Sequence, residues 1–324
     1  MIKQAIKSVL GEKNVARIQR IRQTIGAARA MWHNTGRAAM SQTDKIAVSC
    51  LMQVHGMEKA MAVGNTKSLG TFKYGQLIEK LSGLIDGGMS PQDFTVKECA
   101  AVIHSALGQL SGHEEEKALF AAFVEQYGIP LDFKGGITKI PRTEIFAHNN
   151  FDYHAFVSSR HSVRRFKDKI ISREVIREIV RDALYCPSIC NRQPFKVYFS
   201  ENPDTVKRII KSGVEPFVAP NVYDALIVTC DRALLTPAEL NDQEFLNGGI
   251  FLGALVLSIH AHGLGSCLFQ FLQVNARQER IRREFGISQS EVISAFVGIG
   301  EPEDEVLCAC AQRRPAEEVA VCLN

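Results

Sequence analysis

From Ser159 onward, apolar runs of strand length alternate with stretches of helical period, and nothing else in the sequence restricts the fold as strongly. Ser172 is placed as an N-cap, with Ile171 and Ile176 spaced as a hydrophobic staple, so a helix is expected to about residue 185. Strands are expected over 195–199, 225–230, 266–271 and 292–299, and helices over 204–211, 239–262 and 276–285. Gly263 stands where a glycine C-cap of the long helix belongs. Elements in this order build an α+β domain of about 170 residues.

The first half has a different texture. Between residues 44 and 128 the apolar positions follow helical spacing only. Helices are expected over 44–61, 76–85, from Thr95 onward, and over 113–127. Thr95 and Glu98 have the spacing of a capping box, and Glu114, Glu115 and Glu116 sit against the positive end of a helix dipole. The turn signals Asp86-Gly87-Gly88 and Gly135-Gly136 separate these elements. No repeat and no catalytic constellation occurs there. The polar stretch 128–150 marks the expected boundary between a helical N-terminal region, 1–150, and a second domain, 151–324.

Residues 1–32 contain seven basic residues and one acid, so this segment carries +6 in a chain of net charge +3. Ile2, Ile6, Val9, Ile18, Ile21, Ile25, Ala28 and Trp32 recur at helical spacing. Such a basic amphipathic helix either packs on its own domain with a solvated basic face or lies on an anionic membrane surface. The small overall charge argues against nucleic acid as a partner. With 46% hydrophobic and 23% charged residues, the chain has the balance of a globular protein with a real core. The longest apolar stretch, 250–259, is well short of the roughly 20 residues that span a bilayer. The N-terminus has no apolar h-region of a secretory leader. Nine scattered cysteines fit free thiols in a reducing, cytoplasmic setting, and their spacing gives no zinc knuckle, so no metal is expected.

Three segments of the second half carry chemistry. Arg160-His161-Ser162-Val163-Arg164-Arg165-Phe166 concentrates guanidiniums, an imidazole and a hydroxyl, the donors that match phosphate oxygens. Cys186-Pro187-Ser188-Ile189-Cys190-Asn191-Arg192-Gln193-Pro194-Phe195 places amide side chains between two prolines. Asn and Gln both donate and accept, which suits the edge of a heterocycle. Gly263-Leu264-Gly265-Ser266-Cys267 and Gly298-Ile299-Gly300-Glu301-Pro302 are expected to let backbone approach a ligand closely, and Arg313-Arg314-Pro315 adds late positive charge. Each piece alone also reads as a solvated turn or surface.

Taken in order, these motifs resemble the nitroreductase-like flavoprotein family over roughly residues 158–318. The resemblance implies a mainly antiparallel sheet flanked by helices, with FMN at a homodimer interface. Arg160, His161, Ser162 and Arg164 are implied as the FMN-contacting loop. Pro187, Ser188 and Asn191 would lie along the isoalloxazine, with Gly263, Leu264 and Gly265 beside it through their backbone. Arg313 or Arg314 would reach the ribityl phosphate. Phe195 stands where the family often has tryptophan. Val54-His55-Gly56-Met57-Glu58-Lys59 resembles a His-x-x-Glu-Lys pattern ahead of reductase domains associated with surface polysaccharide synthesis, and it equally fits an ion pair on a helix face.

The implied function is an FMN-dependent oxidoreductase that uses NAD(P)H to reduce a small electron-poor acceptor by a ping-pong mechanism. The flavin carries the redox step, so no catalytic residue of the chain is expected. No Gly-x-Gly-x-x-Gly fingerprint of a Rossmann nicotinamide site is present. Two alternatives remain open. One is a specialised flavoprotein of dehydrogenase, dehalogenase or flavin-breakdown type, since the fold does not fix chemistry. The other is a membrane-associated accessory protein of polysaccharide biosynthesis with a vestigial flavin site. The long helix is assigned no polar part in the site, and His260 and His262 are read as core or interface residues.

Overall fold

A computed structural model describes residues 41–214, 221–236, 238–240, 242–270, 275–310 and 313–323, with the isolated positions 14, 18, 21 and 25. The expected basic helix over 1–32 therefore lies outside the described residues, apart from Asn14, Ile18, Ile21 and Ile25, which are helical.

Helices Gln42–Ala62, Tyr74–Asp86, Phe94–Gly108 and Glu114–Tyr127, with the short Thr66–Leu69, enclose one apolar core. Met57, Leu77, Leu81, Val96 and Ile103 are fully buried in it. The first helix starts at a capping box: the Ser41 hydroxyl accepts from Asp44 N at 3.0 Å, and Ser41 N donates to the Asp44 carboxylate at 3.0 Å. The third does not open at Thr95. Asp93 caps it, its carboxylate accepting from Thr95 N at 2.8 Å, because a charged acceptor also complements the dipole. Glu98 is half-buried near Glu58; burial first, and then that neighbouring charge, push its carboxyl up.

The second half builds a four-stranded antiparallel sheet from β1 (Phe195–Tyr198), β2 (Ala225–Asp231), β3 (Gly265–Gln270) and β4 (Glu291–Gly300), in the order β1-β2-β4-β3. Val197 pairs with Val228, Ile227 with Phe296, and Leu268 with Val297. Every residue of β2 is buried, which explains its continuous apolar run. Side chains alternate between faces along each strand. Ile227, Phe296 and Phe269 pack with Ile209 and Ile281 from helices Pro203–Gly213 and Asn275–Phe285. Leu226, Val228 and Val297 face Ile176, Ile179, Phe251 and Leu255 from helices Arg173–Ala183 and Gln243–Ala261. The result is the expected α+β architecture, with helices on both faces of the sheet.

Gln243–Ala261 is long and apolar enough to cross a membrane by length and composition. Phe251, Leu255 and Ile259 are nevertheless fully buried against the sheet and helix Arg173–Ala183, as in the core helix of a globular domain. It begins later than residue 239, because the Glu239 carboxylate is taken by Thr236 N at 2.7 Å and by Arg192. Gly263 follows its end with φ 73°, the left-handed conformation expected there. All nine cysteines are free thiols; Cys50, Cys99, Cys230 and Cys267 are buried, whereas Cys310 and Cys322 are exposed.

Candidate functional site

The arginine-rich loop is laid along the outer edge of β3. Ser162 forms a parallel bridge with Ser266, Val163 N donates to Ser266 O at 3.0 Å, and Lys167 N donates to Glu301 O at 2.9 Å. Phe166 anchors the segment at 2% exposure. Its ring fills space left by two glycines. A Cβ on Gly265 would lie 3.0–3.1 Å from Val163, Phe166 and Pro302, and one on Gly300 would lie 3.0 Å from Phe166. At both glycines the close approach is to the chain's own loop, which they hold against the sheet. Gly265 is buried, Leu264 is half-buried, and Gly263 is exposed.

Between this loop and the end of the long helix lies a cavity of about 250 Å³. Its walls include Arg160, His161, His260, Gly263, Leu264 and Gly265. Arg165, on the same loop, is paired with Glu303 at 3.0 Å. Arg160 and Arg164 have no carboxylate partner among the described residues. Arg164 donates only to Ser162 O, at 3.1 Å. Cys267 reports the convergence of the loop: burial pushes its thiol up, while Arg164, Arg160 and the Ser162 hydroxyl pull the other way. A guanidinium without a carboxylate partner among the described residues, in the wall of a concave surface as Arg160 is, suits an anion.

His260 is half-buried in this wall. Its Nε2 lies 2.9 Å from Ser159 Oγ, and the Ser159 hydroxyl donates to Phe156 O at 2.9 Å. With the hydroxyl proton committed there, the imidazole N–H donates to Ser159 Oγ. The Phe156 ring centroid is 5.1 Å from that of His260. His262 faces away and meets Asp182 at 2.9 Å. The two histidines are therefore apart, as residues two positions apart on a helix must be.

The Pro187–Phe195 turn is a separate lobe. Pro187, Ser188 and Asn191 do not line the 250 Å³ cavity. Cys190, Asn191 and Gln193 have φ of 47°, 49° and 48°. Ser188 Oγ accepts from Gln193 N at 3.1 Å, and Asn191 Oδ1 accepts from Gln193 Nε2 at 3.2 Å. Asn191 itself is exposed. Asn247, on the long helix, is 2% exposed and accepts from Ile189 N at 2.9 Å through Oδ1. The sequence reading passed Asn247 over, although an asparagine inside an apolar helix is a signal of a buried polar task. Helix Gln42–Ala62 also abuts this turn and the short helix Arg232–Leu234.

The structure does not bring Arg313 and Arg314 to the cavity wall. Both are exposed, and Arg314 lies 3.9 Å from Glu318. In the N-terminal helices, His55 Nδ1 and the Glu58 carboxylate sit 3.3 Å apart on a helix face, with Lys59 exposed. A larger cavity, about 470 Å³, opens between helices Phe94–Gly108 and Glu114–Tyr127. Leu107, Phe120 and Val124 give it apolar walls, and it holds none of the loop's chemistry. Among the described residues no group of three or more His, Cys, Asp or Glu side chains is placed to hold a metal.

Comparison with known proteins places this geometry. Residues 157–231 match the model of the nitroreductase family. A protein of Archaeoglobus fulgidus, provisionally named an NADH dehydrogenase/NAD(P)H nitroreductase, is 27% identical over 152 residues, covering 46% of this chain and 84% of its own. An NADH dehydrogenase of Thermus thermophilus is 26% identical over 180 residues, covering 45% of this chain and 84% of its own. An FMN-dependent nitroreductase of Clostridium difficile superposes with a TM-score of 0.41 at 21% identity, covering 48% of this chain and 90% of its own.

Proposed function

We propose that this protein, residues 157–231 of which match the nitroreductase family model, is an FMN-dependent oxidoreductase that uses NAD(P)H to reduce a small electron-poor acceptor. The observation that carries this reading is Arg160, which has no carboxylate partner among the described residues, in the wall of the cavity beside Gly263-Leu264-Gly265, with Arg164 on the same loop. A flavin phosphate needs such donors, and the residues present fit it.

When bound, FMN supplies the hydride-accepting ring. Everything else is the work of the chain. Arg160 and Arg164 hold the phosphate end, with Ser162 adding a neutral donor. His161 and the backbone of Gly263 and Leu264 flank the tail. The Ser188–Asn191 turn meets the polar edge of the ring, where Asn191 both donates and accepts.

The 250 Å³ cavity is smaller than the roughly 300–1,000 Å³ that encloses a drug-sized ligand. In this reading one chain covers part of the flavin and a second copy completes the site in a homodimer. A shared open face for reductant and acceptor makes the reaction ping-pong. Two regions, a helical one over 1–150 and a flavin domain over 151–324, divide the work, in the cytoplasm.

The test is the absorption spectrum of the purified protein after incubation with FMN and desalting. A retained flavin band that bleaches anaerobically with NADH or NADPH and returns with an acceptor supports the reading. Colourless protein that takes up no FMN refutes it.

A further inference from the structure

The turn that precedes β1 holds a conformation its sequence does not favour. Asparagine tolerates the left-handed region, but Cys190 and Gln193 are there too, at φ 47° and 48°. A strained run of this kind persists only where its surroundings over-determine it. The residue set between the left-handed ones, Arg192, has a regular φ of −76° and points inward. Its side chain is 0% exposed.

Arg192 uses its whole fork. Nε donates to Ile189 O at 3.3 Å, Nη1 to Leu234 O at 2.7 Å, and Nη2 to Glu239 Oε1 at 2.7 Å. Glu239 is itself fixed, since its other oxygen accepts from Thr236 N at 2.7 Å. Burial pushes the Glu239 carboxyl up, but the Arg192 hydrogen bond and charge, with the Thr236 contacts, outweigh it and hold it below the usual range. Asn247 grips the same residue from the other side, through Ile189 N, and is fixed by Gln243 O at 2.7 Å. Both backbone polar groups of Ile189 are therefore tied to the protein interior, two residues ahead of Asn191.

We propose that Arg192 is a positioning residue for flavin binding: anchored by Glu239 and Leu234 O, it clamps Ile189 and so holds Asn191 in the left-handed conformation that presents its amide to the ring edge. The inference rests on the function proposed above. It differs from a purely structural role in one respect. A fold-supporting arginine would affect stability alone, whereas a clamp on a strained turn can be replaced by removing the strain.

The experiment compares wild type, Arg192→Met, and Arg192→Met combined with Cys190→Gly. Two readouts are taken: amide hydrogen exchange of residues 188–193 in flavin-free protein, and the FMN dissociation constant from fluorescence titration. Arg192→Met is expected to exchange faster across the turn and to bind FMN at least about tenfold more weakly, as loss of a charge-assisted contact implies. Adding Cys190→Gly, which accepts positive φ without a Cβ penalty, is expected to recover most of the affinity of the turn for FMN. Unaltered exchange in Arg192→Met, unaltered FMN binding, or no recovery by glycine would each overturn the clamp. If Arg192→Met does not fold, Arg192→Lys keeps the charge without the fork and is read the same way, with a smaller shift expected. Wild type that binds no FMN would instead sink the proposed function, and the exchange comparison would still decide whether the turn is clamped.

Discussion

Single side chains set both the affinity of the site and one pH dependence of the fold. Arg160→Ala and Arg164→Ala each remove a charged donor worth about 1.5–3 kcal/mol, so FMN affinity is expected to fall roughly 10- to 100-fold in either variant. Fluorescence titration measures this, and unchanged far-UV circular dichroism shows that the fold is intact. Arg164→Ala with Asn191→Ala is expected to abolish flavin retention on desalting. Asp224 acts on stability. It is 2% exposed, and burial raises its carboxyl to about 7 against the hydrogen bonds from Ile171 N and Ala225 N. The folded chain therefore keeps a proton that the unfolded chain releases above its own lower pKa, so folding stability falls as pH rises toward 7. The slope approaches about 1.4 kcal/mol per pH unit at most. Urea midpoints at pH 5.5 and 7.5 should show this loss, smaller in Asp224→Asn; equal losses in both proteins would assign it elsewhere.

At the scale of elements, contacts within the chain decide what the glycines do. Gly265→Ala is expected to destabilise by about 1–3 kcal/mol, the usual cost of overpacking, because its new methyl meets Val163, Phe166 and Pro302 at 3.0–3.1 Å. The same variant should bind FMN more weakly, since Val163 and Phe166 carry the arginine loop; thermal melts and titration check both. The sheet was legible because β2 and β4 are mostly apolar and flanked by turn signals, and helix Arg173–Ala183 because Ser172 and its staple mark the start. Other features were not. Thr95 lost the cap to Asp93 because local spacing cannot rank a hydroxyl against a nearby carboxylate. The roles of Gly265 and Gly300 depend on Phe166, roughly a hundred residues or more away along the chain, and no local pattern records that pairing. Arg192 was quoted only as part of a motif, because its partner Glu239 is joined to it by tertiary folding alone. Asn247 was missed although it stood in plain view among apolar neighbours.

The whole molecule joins two cores through the turn that carries Asn191, because helix Gln42–Ala62 of the N-terminal core abuts that turn. A ligand that orders the turn should therefore be felt in the helices. Flavin at about 100 times its dissociation constant stabilises the binding state by about 2.7 kcal/mol. The helical region is expected to melt together with the sheet when flavin is present, as calorimetry would show by a merged transition. The homodimer proposed above is expected to sediment as two chains carrying one flavin each. The stretch that seals the outer side of β3, through Ser162 and Val163, also carries Arg160 and Arg164. An anion held by these guanidiniums would keep the seal shut. Flavin-free stocks should accordingly cloud sooner on warming than loaded ones, as bared strands from neighbouring molecules find each other.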